Sequence, residues 1–294
     1  MKHEVIISRQ DGLELDISLM EPATKPIGII QISHGMSEHK ARYYPFMEYM
    51  VEKGYVCIIH DHRGHGKSVK SKEDYGYFYT EDIHYIVEDL FQVTEYVHDL
   101  YPDLDITLFS HSMGTLVARC YIQKHDQYLQ NLILCGPPTQ NTMAGLGLML
   151  AKFLKPFYKE KSPNYLLNKM AFSGYGDNWL SKNEENLKKY AEDDLCGYVF
   201  TTNGFINLFK LMIEAFNTDA YQVENEKLKI FMIAGSADPV IQNIEKFNDL
   251  VTFLEKLGYK NIDQKIYFGL KHELLKEKEA KEISEDIYQF IKSD

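Results

Sequence analysis

Eight short runs rich in β-branched and apolar residues, at 3–9, 13–20, 27–33, 54–60, 105–110, 131–135, 229–234 and 263–268, punctuate the chain. Several are continuously apolar, such as Ile27-Gly-Ile-Ile-Gln-Ile32 and Tyr55-Val-Cys-Ile-Ile59. Continuous apolarity fits strands covered on both faces, as in a parallel sheet, rather than strands with one wet face. Helical periodicity falls between them, at 42–53, 82–100, 113–125, 242–257 and 278–292. Strands alternating with helices require crossover connections, which are right-handed in nearly all cases. The expected architecture is therefore an α/β fold with a mostly parallel, eight-stranded sheet flanked by helices. The first two runs are joined by Gln10-Asp11-Gly12, a turn that predicts an antiparallel hairpin at the sheet's beginning.

One stretch breaks the alternation. From 137 to 222 the sequence reads as helical and offers no good strand, and Gly136-Pro137-Pro138 marks its start. It is expected to be a helical cap inserted into a core formed by 1–136 and 223–294. At 294 residues the chain has room for one large domain carrying such an insertion.

Bulk properties remove several classes of function. A net charge of −11 and the lack of a long basic run argue against nucleic acid, whose phosphates need clustered Lys and Arg. The first residues read directly as a strand, without a signal-peptide core, and no window has the ~18 apolar residues of a spanning helix. Cys57, Cys120 and Cys135 sit within apolar runs, and neither they nor Cys196 show metal-ligand spacing. A reduced, cytoplasmic setting is expected.

The chemistry is concentrated at strand ends. Thr107-Leu-Phe-Ser-His-Ser-Met-Gly114 is a strand that stops at Ser112 and continues as a helix. A serine at such a turn projects its hydroxyl above the sheet edge, and the helix N-terminus behind it offers N–H groups to a developing oxyanion. The pattern has Ser110 where G-x-S-x-G has its first glycine, which keeps a small residue there but predicts some crowding. A serine needs a base. Only His272 lies C-terminal to His125, in a turn after the last strand, and Asp238 directly follows the preceding strand. The chain order Ser, Asp, His suits this arrangement, with the carboxylate fixing the imidazole's tautomer. Glu273 is a lesser rival for the acid. In Ser33-His34-Gly35-Met36-Ser37-Glu38-His39 the N–H of Met36 is expected to join that of Met113 in an oxyanion hole.

Two decoys lie nearby. Gly64-His-Gly-Lys-Ser68 looks like the end of a phosphate loop, but Asp61 stands where that motif needs glycine. His60, His62 and His65 suggest zinc, yet no downstream ligand cluster supports it. This loop is expected to bond internally and to buttress the oxyanion turn, with no metal or cofactor.

Taken together, His34-Gly-Met-Ser-Glu-His39, Asp61-His-Arg-Gly-His-Gly-Lys-Ser68, His111-Ser-Met-Gly114, Asp238 and His272 resemble the monoglyceride lipase and lysophospholipase branch of the α/β-hydrolases, also grouped with serine aminopeptidases. The resemblance implies a metal-independent serine esterase with Ser112 as nucleophile, acting on monoacylglycerols, lysophospholipids or similar esters. His34, Gly35, Glu38, Arg42 and His111 are candidate substrate contacts. Glu38 and Arg42, one helical turn apart, could hold a glycerol-like head or simply pair with each other.

In the cap, Met143–Phe157 and Phe205–Met212 are apolar on more than one helical face. A helix apolar nearly all round needs a second apolar neighbour, which can be another helix, an acyl chain or a membrane surface. Leu146, Met149, Phe153, Phe205 and Phe209 are therefore expected to line an acyl tunnel, with transient membrane contact through the cap. Two rivals remain open. A proline-iminopeptidase-like aminopeptidase would aim acidic cap residues such as Glu184, Glu185, Asp193 or Asp194 at an amine. A non-catalytic ligand-binding protein would keep only the fold.

Overall fold

The computed structural model describes residues 1–176 and 178–293. Eight strands form one sheet: β1 (Lys2–Ile7), β2 (Glu14–Met20), β3 (Gly28–Ser33), β4 (Tyr55–His60), β5 (Ile106–His111), β6 (Asn131–Cys135), β7 (Lys229–Gly235) and β8 (Asn261–Tyr267). Their spatial order is β1-β2-β4-β3-β5-β6-β7-β8. β1 and β2 pair antiparallel as the hairpin sequence requires, and β2 also meets β4 antiparallel; every other pairing is parallel. The sequence runs match these strands to within two residues or so at each end.

Neighbouring residues of the central strands feed opposite cores, the physical meaning of their unbroken apolarity. Ile29, Val56, Ile58 and Leu108 join one cluster with α2 (His84–Leu100), α3 (Met113–His125) and α8 (Ile244–Leu257). Ile30, Cys57, Ile59 and Phe109 join the other with α1 (Tyr44–Glu52) and α9 (Ala280–Lys292). Gln31 interrupts the run but is not orphaned. Its amide donates to the Leu90 carbonyl at 2.9 Å and accepts from the Thr94 hydroxyl at 2.8 Å.

Between β6 and β7 the chain forms α4 (Ala144–Leu154), α5 (Tyr165–Ala171), α6 (Glu184–Glu192) and α7 (Thr202–Glu214). Asn164, Asn183 and Thr201 cap α5, α6 and α7 through their side chains, satisfying N–H groups that the first turn leaves free. α7 is buried along most of its length, with Asn203 and Asn207 both donating to the Thr80 carbonyl. α4 crosses α7 closely at Gly147, where a β-carbon would stand 2.9 Å from the Phe209 ring.

Candidate active site

Ser112 stands between β5 and α3 at φ 52°, ψ −119°, a left-handed backbone that L-residues occupy only when their surroundings enforce it. Several contacts do so. Its N–H donates to the Cys135 carbonyl at 3.0 Å, and its own carbonyl accepts from the Thr115 N–H at 2.9 Å and hydroxyl at 2.7 Å. Gly114 lets α3 press on β3, for a β-carbon there would lie 2.2 Å from the Ser33 carbonyl oxygen. Ser110 is accommodated without an unpaired hydroxyl: its Oγ donates to the Ile133 carbonyl at 2.8 Å. The crowding expected from the missing glycine is thus taken up by a bond to the neighbouring strand.

Asp238 follows β7 and His272 follows β8, and the two turns interlock. Ala237 N–H donates to the Leu270 carbonyl at 2.9 Å, and a β-carbon on Gly235 would collide with that same oxygen at 2.2 Å. Within this frame His272 Nδ1 donates to Asp238 Oδ2 at 2.8 Å, while Asp238 Oδ1 accepts from the Val240 N–H at 2.8 Å. Both side chains are almost wholly buried. Burial lowers the His272 pKa, but the Asp238 charge and hydrogen bond outweigh it, leaving the group above its ordinary 6.5. The Nδ1–H tautomer leaves the Nε2 lone pair free to accept a proton. Among the described residues Ser112 forms no hydrogen bond with His272, although both line one cavity. In unliganded enzymes such contacts commonly tighten only when substrate binds.

That cavity measures about 660 Å³, within the usual ligand-site range of roughly 300–1,000 Å³. Gly35, Met36, Glu38, His111, Ser112, Met113 and His272 form its core side, and Leu146, Leu167, Met170, Phe172, Leu208 and Phe209 are among the apolar residues opposite. The N–H groups of Met36 and Met113 have no acceptor among the described residues. Gly35 is required by close approach, since a β-carbon would lie 2.6 Å from Glu38 Oε1 and 3.2 Å from Ser112 Cβ.

Five residues expected at the substrate are elsewhere. His34 is fully buried behind the oxyanion turn, its Nδ1 on the Gly35 carbonyl at 2.8 Å and its Nε2 accepting from His62 N–H at 2.9 Å. Arg42 does not reach the cavity; it donates to Glu38 at 2.8 Å and to both oxygens of Glu273, at 2.6 and 2.9 Å. Glu273 is thereby committed to Arg42 and not to His272. Phe205 faces the core, stacking 6.2 Å from Phe209, whereas Met149 and Phe153 point outward, 69% and 68% exposed. Helical spacing names a face but does not say which neighbour covers it.

The histidine loop does brace the turn. His62 Nε2 lies 3.0 Å from the Ser33 hydroxyl, and Asp61 accepts from Lys40 N–H at 2.8 Å and Lys67 N–H at 2.9 Å. A different trio, His39, Asp193 and Cys196, places its potential ligand atoms within 4.8 Å of one another, a grouping invisible in sequence spacing. Here His39 Nε2 donates to Asp193 at 2.8 Å. The sequence also gave no hint of Trp179, the only tryptophan, whose ring lies 5.1 Å from that of His272.

An eight-stranded sheet with its serine elbow and following His–Asp pair at the carboxyl edge defines an α/β-hydrolase. The chain belongs to the family described as serine aminopeptidase, S33, whose profile matches residues 24–279. It is 24% identical to human monoglyceride lipase over 96% of this chain and 86% of that protein. It is 26% identical to mouse monoglyceride lipase over 63% of this chain and 57% of that protein. The solved structure of a thermostable carboxyl esterase from Bacillus coagulans is similar at TM-score 0.89 and 26% identity, covering 99% of this chain and 97% of that one.

Proposed function

We propose that this protein is a serine carboxylic-ester hydrolase acting on monoacylglycerols or similar acyl esters. The reading rests chiefly on one observation: a strained serine, a buried His–Asp pair and two uncommitted N–H groups border the same largely apolar cavity. The ester carbonyl lies between the N–H groups of Met36 and Met113. His272 Nε2 takes the Ser112 proton as Oγ bonds to the carbonyl carbon, and the tetrahedral oxyanion accepts both N–H groups. The C–O bond to the alcohol then breaks, the alcohol leaving with the proton from His272, and water attacks the acyl-enzyme by the same route in reverse. The Asp238 carboxylate, on Nδ1–H, holds the imidazolium in place. Residues 137–222 act as a cap that supplies the acyl wall, over a core of 1–136 and 223–294.

Each buried methylene adds about 0.8 kcal/mol to binding. Hydrolysis of a homologous series of monoacylglycerols is therefore expected to show kcat/KM rising with acyl length through the medium chains, and aminoacyl amides are expected to be poor substrates. An optimum at acetate, or preference for the amides, refutes the lipid assignment. The aminopeptidase alternative is weakened by the cap's acids: Glu184, Glu185, Asp193 and Asp194 do not border the cavity, and Asp193 is paired with His39.

Around α4 and α5, Met143, Leu146, Met149, Phe153, Phe157, Leu166 and Met170 are exposed, from 45% for Leu166 to 73% for Phe157. Such a patch on a single chain marks an interaction surface. No described helix is long and apolar enough to cross a membrane. We assign the patch to transient docking on lipid. Co-sedimentation with phosphatidylcholine vesicles is expected to fall several-fold when Met149 and Phe153 are both replaced by Asp, and unchanged binding rules it out. All four cysteines are free and buried, in keeping with a reducing, cytoplasmic setting.

A further inference from the structure

Resting on the esterase reading above, we infer that Glu38 is a positioning residue whose single carboxylate sets the oxyanion turn and couples it to the serine elbow and the turn that carries His272. Its Oε1 accepts from Gly35 N–H at 2.6 Å, from the Tyr43 hydroxyl at 2.7 Å and from His111 Nδ1 at 3.1 Å. Its Oε2 accepts from Arg42 Nη1 at 2.8 Å. Each donor belongs to a different part of the machinery. Gly35 immediately precedes Met36, so its bond fixes the peptide plane that leads into the proposed oxyanion donor. His111 immediately precedes Ser112, and its Nε2 lies 3.3 Å from the His272 carbonyl oxygen. Arg42 carries the link onward to Glu273, next to His272, and to Asn186 of α6 at 3.1 Å.

With Oε1 saturated by three donors and Oε2 held by Arg42, this carboxylate is turned toward its protein partners rather than toward a substrate hydroxyl, although Glu38 borders the cavity. It is also held ionised. Burial opposes its charge, but the His111 hydrogen bond and the Arg42 charge outweigh that and bring its pKa well below the ordinary carboxylate range. Charge-assisted bonds of this kind are about twice as strong as neutral ones. Ser37, inside the same turn, has φ 52°, so the turn is strained and needs an anchor. Glutamine has the same shape but no charge, and its amide N–H₂ would face donors.

The test is Glu38→Gln in the full chain, with active sites counted by fluorophosphonate titration. Per active site, kcat is expected to fall about 100-fold, the size of a lost oxyanion donor, with KM within threefold. Affinity for an acyl trifluoromethyl ketone, which Ser112 converts to a tetrahedral adduct, is expected to fall by a similar factor. A residue that merely supported folding would change the active fraction and Tm and leave these per-site constants alone, and that result overturns the inference. So does a kcat within threefold of wild type. A substrate-binding role would instead raise KM at constant kcat, which also overturns it. Should the variant not fold, or the wild type hydrolyse no ester, the wild-type Gly35 amide decides. A strongly downfield, slowly exchanging proton supports the anchor, and an ordinary, fast-exchanging one refutes it.

Discussion

Ser112→Ala is expected to lower ester hydrolysis by at least ~10⁴-fold and to abolish fluorophosphonate labelling, since loss of the nucleophile removes the acyl-enzyme route altogether. Ser112→Gly sharpens the prediction. Glycine occupies φ 52°, ψ −119° without the β-carbon penalty, and relief of such strain is worth about 1–3 kcal/mol. The glycine variant is thus expected to be as inactive as the alanine one and yet more stable than it, read as a higher denaturant midpoint at unchanged slope. If the two variants melt alike, the elbow stores no strain; if either retains substantial turnover, another group is the nucleophile.

Acid is expected to unfold the protein well before most carboxylates titrate. His60 and His65 are buried without an ion pair among the described residues, and burial, outweighing the nearby Asp61 charge, brings each pKa down from 6.5 to about 3. His34 and His62, packed against them, are lowered for the same reason. The unfolded chain binds these protons first, so the associated stability is whole above about pH 6.5 and is lost as pH falls through the interval toward 3. From pH 7 to pH 5, His60 and His65 would each withdraw about 2 kcal/mol, a large share of the typical 5–15 kcal/mol total. His272 has the opposite sign, its raised pKa favouring the fold as pH falls, but it is one group against four. Urea midpoints measured from pH 7.5 to 5 are expected to fall steeply, and more gently in His60→Gln. A flat profile means these imidazoles are protonated in the fold.

What could be read from sequence was local. Strand ends carrying Ser112, Asp238 and His272 stood out because apolar runs stop abruptly at Gly-rich turns, and the sheet places Asp238 and His272 2.8 Å apart. The Glu38–Arg42 pair was legible as one helical turn of opposite charge, but its extension to Glu273, 231 positions away from Arg42, was not. Such partners are chosen by how loops meet over the sheet edge. The same limit misplaced Phe205, Met149 and Phe153. Periodicity marks an apolar stripe, and whether that stripe meets core, cavity or solvent depends on how α4 settles on α7. Strand order was likewise unreadable in detail, for nothing in β2 announces that it will lie beside β4 rather than β3.

The long detour between β6 and β7 leaves those two strands paired in register, Cys135 beside Ile233, as if nothing intervened. Most of the apolar cavity wall therefore hangs from a sheet whose own hydrogen bonding is indifferent to it. Selection, or an engineer, can redraw the ceiling over the reacting atoms while the floor keeps its geometry, so that diversification of what enters need not disturb how it is cleaved.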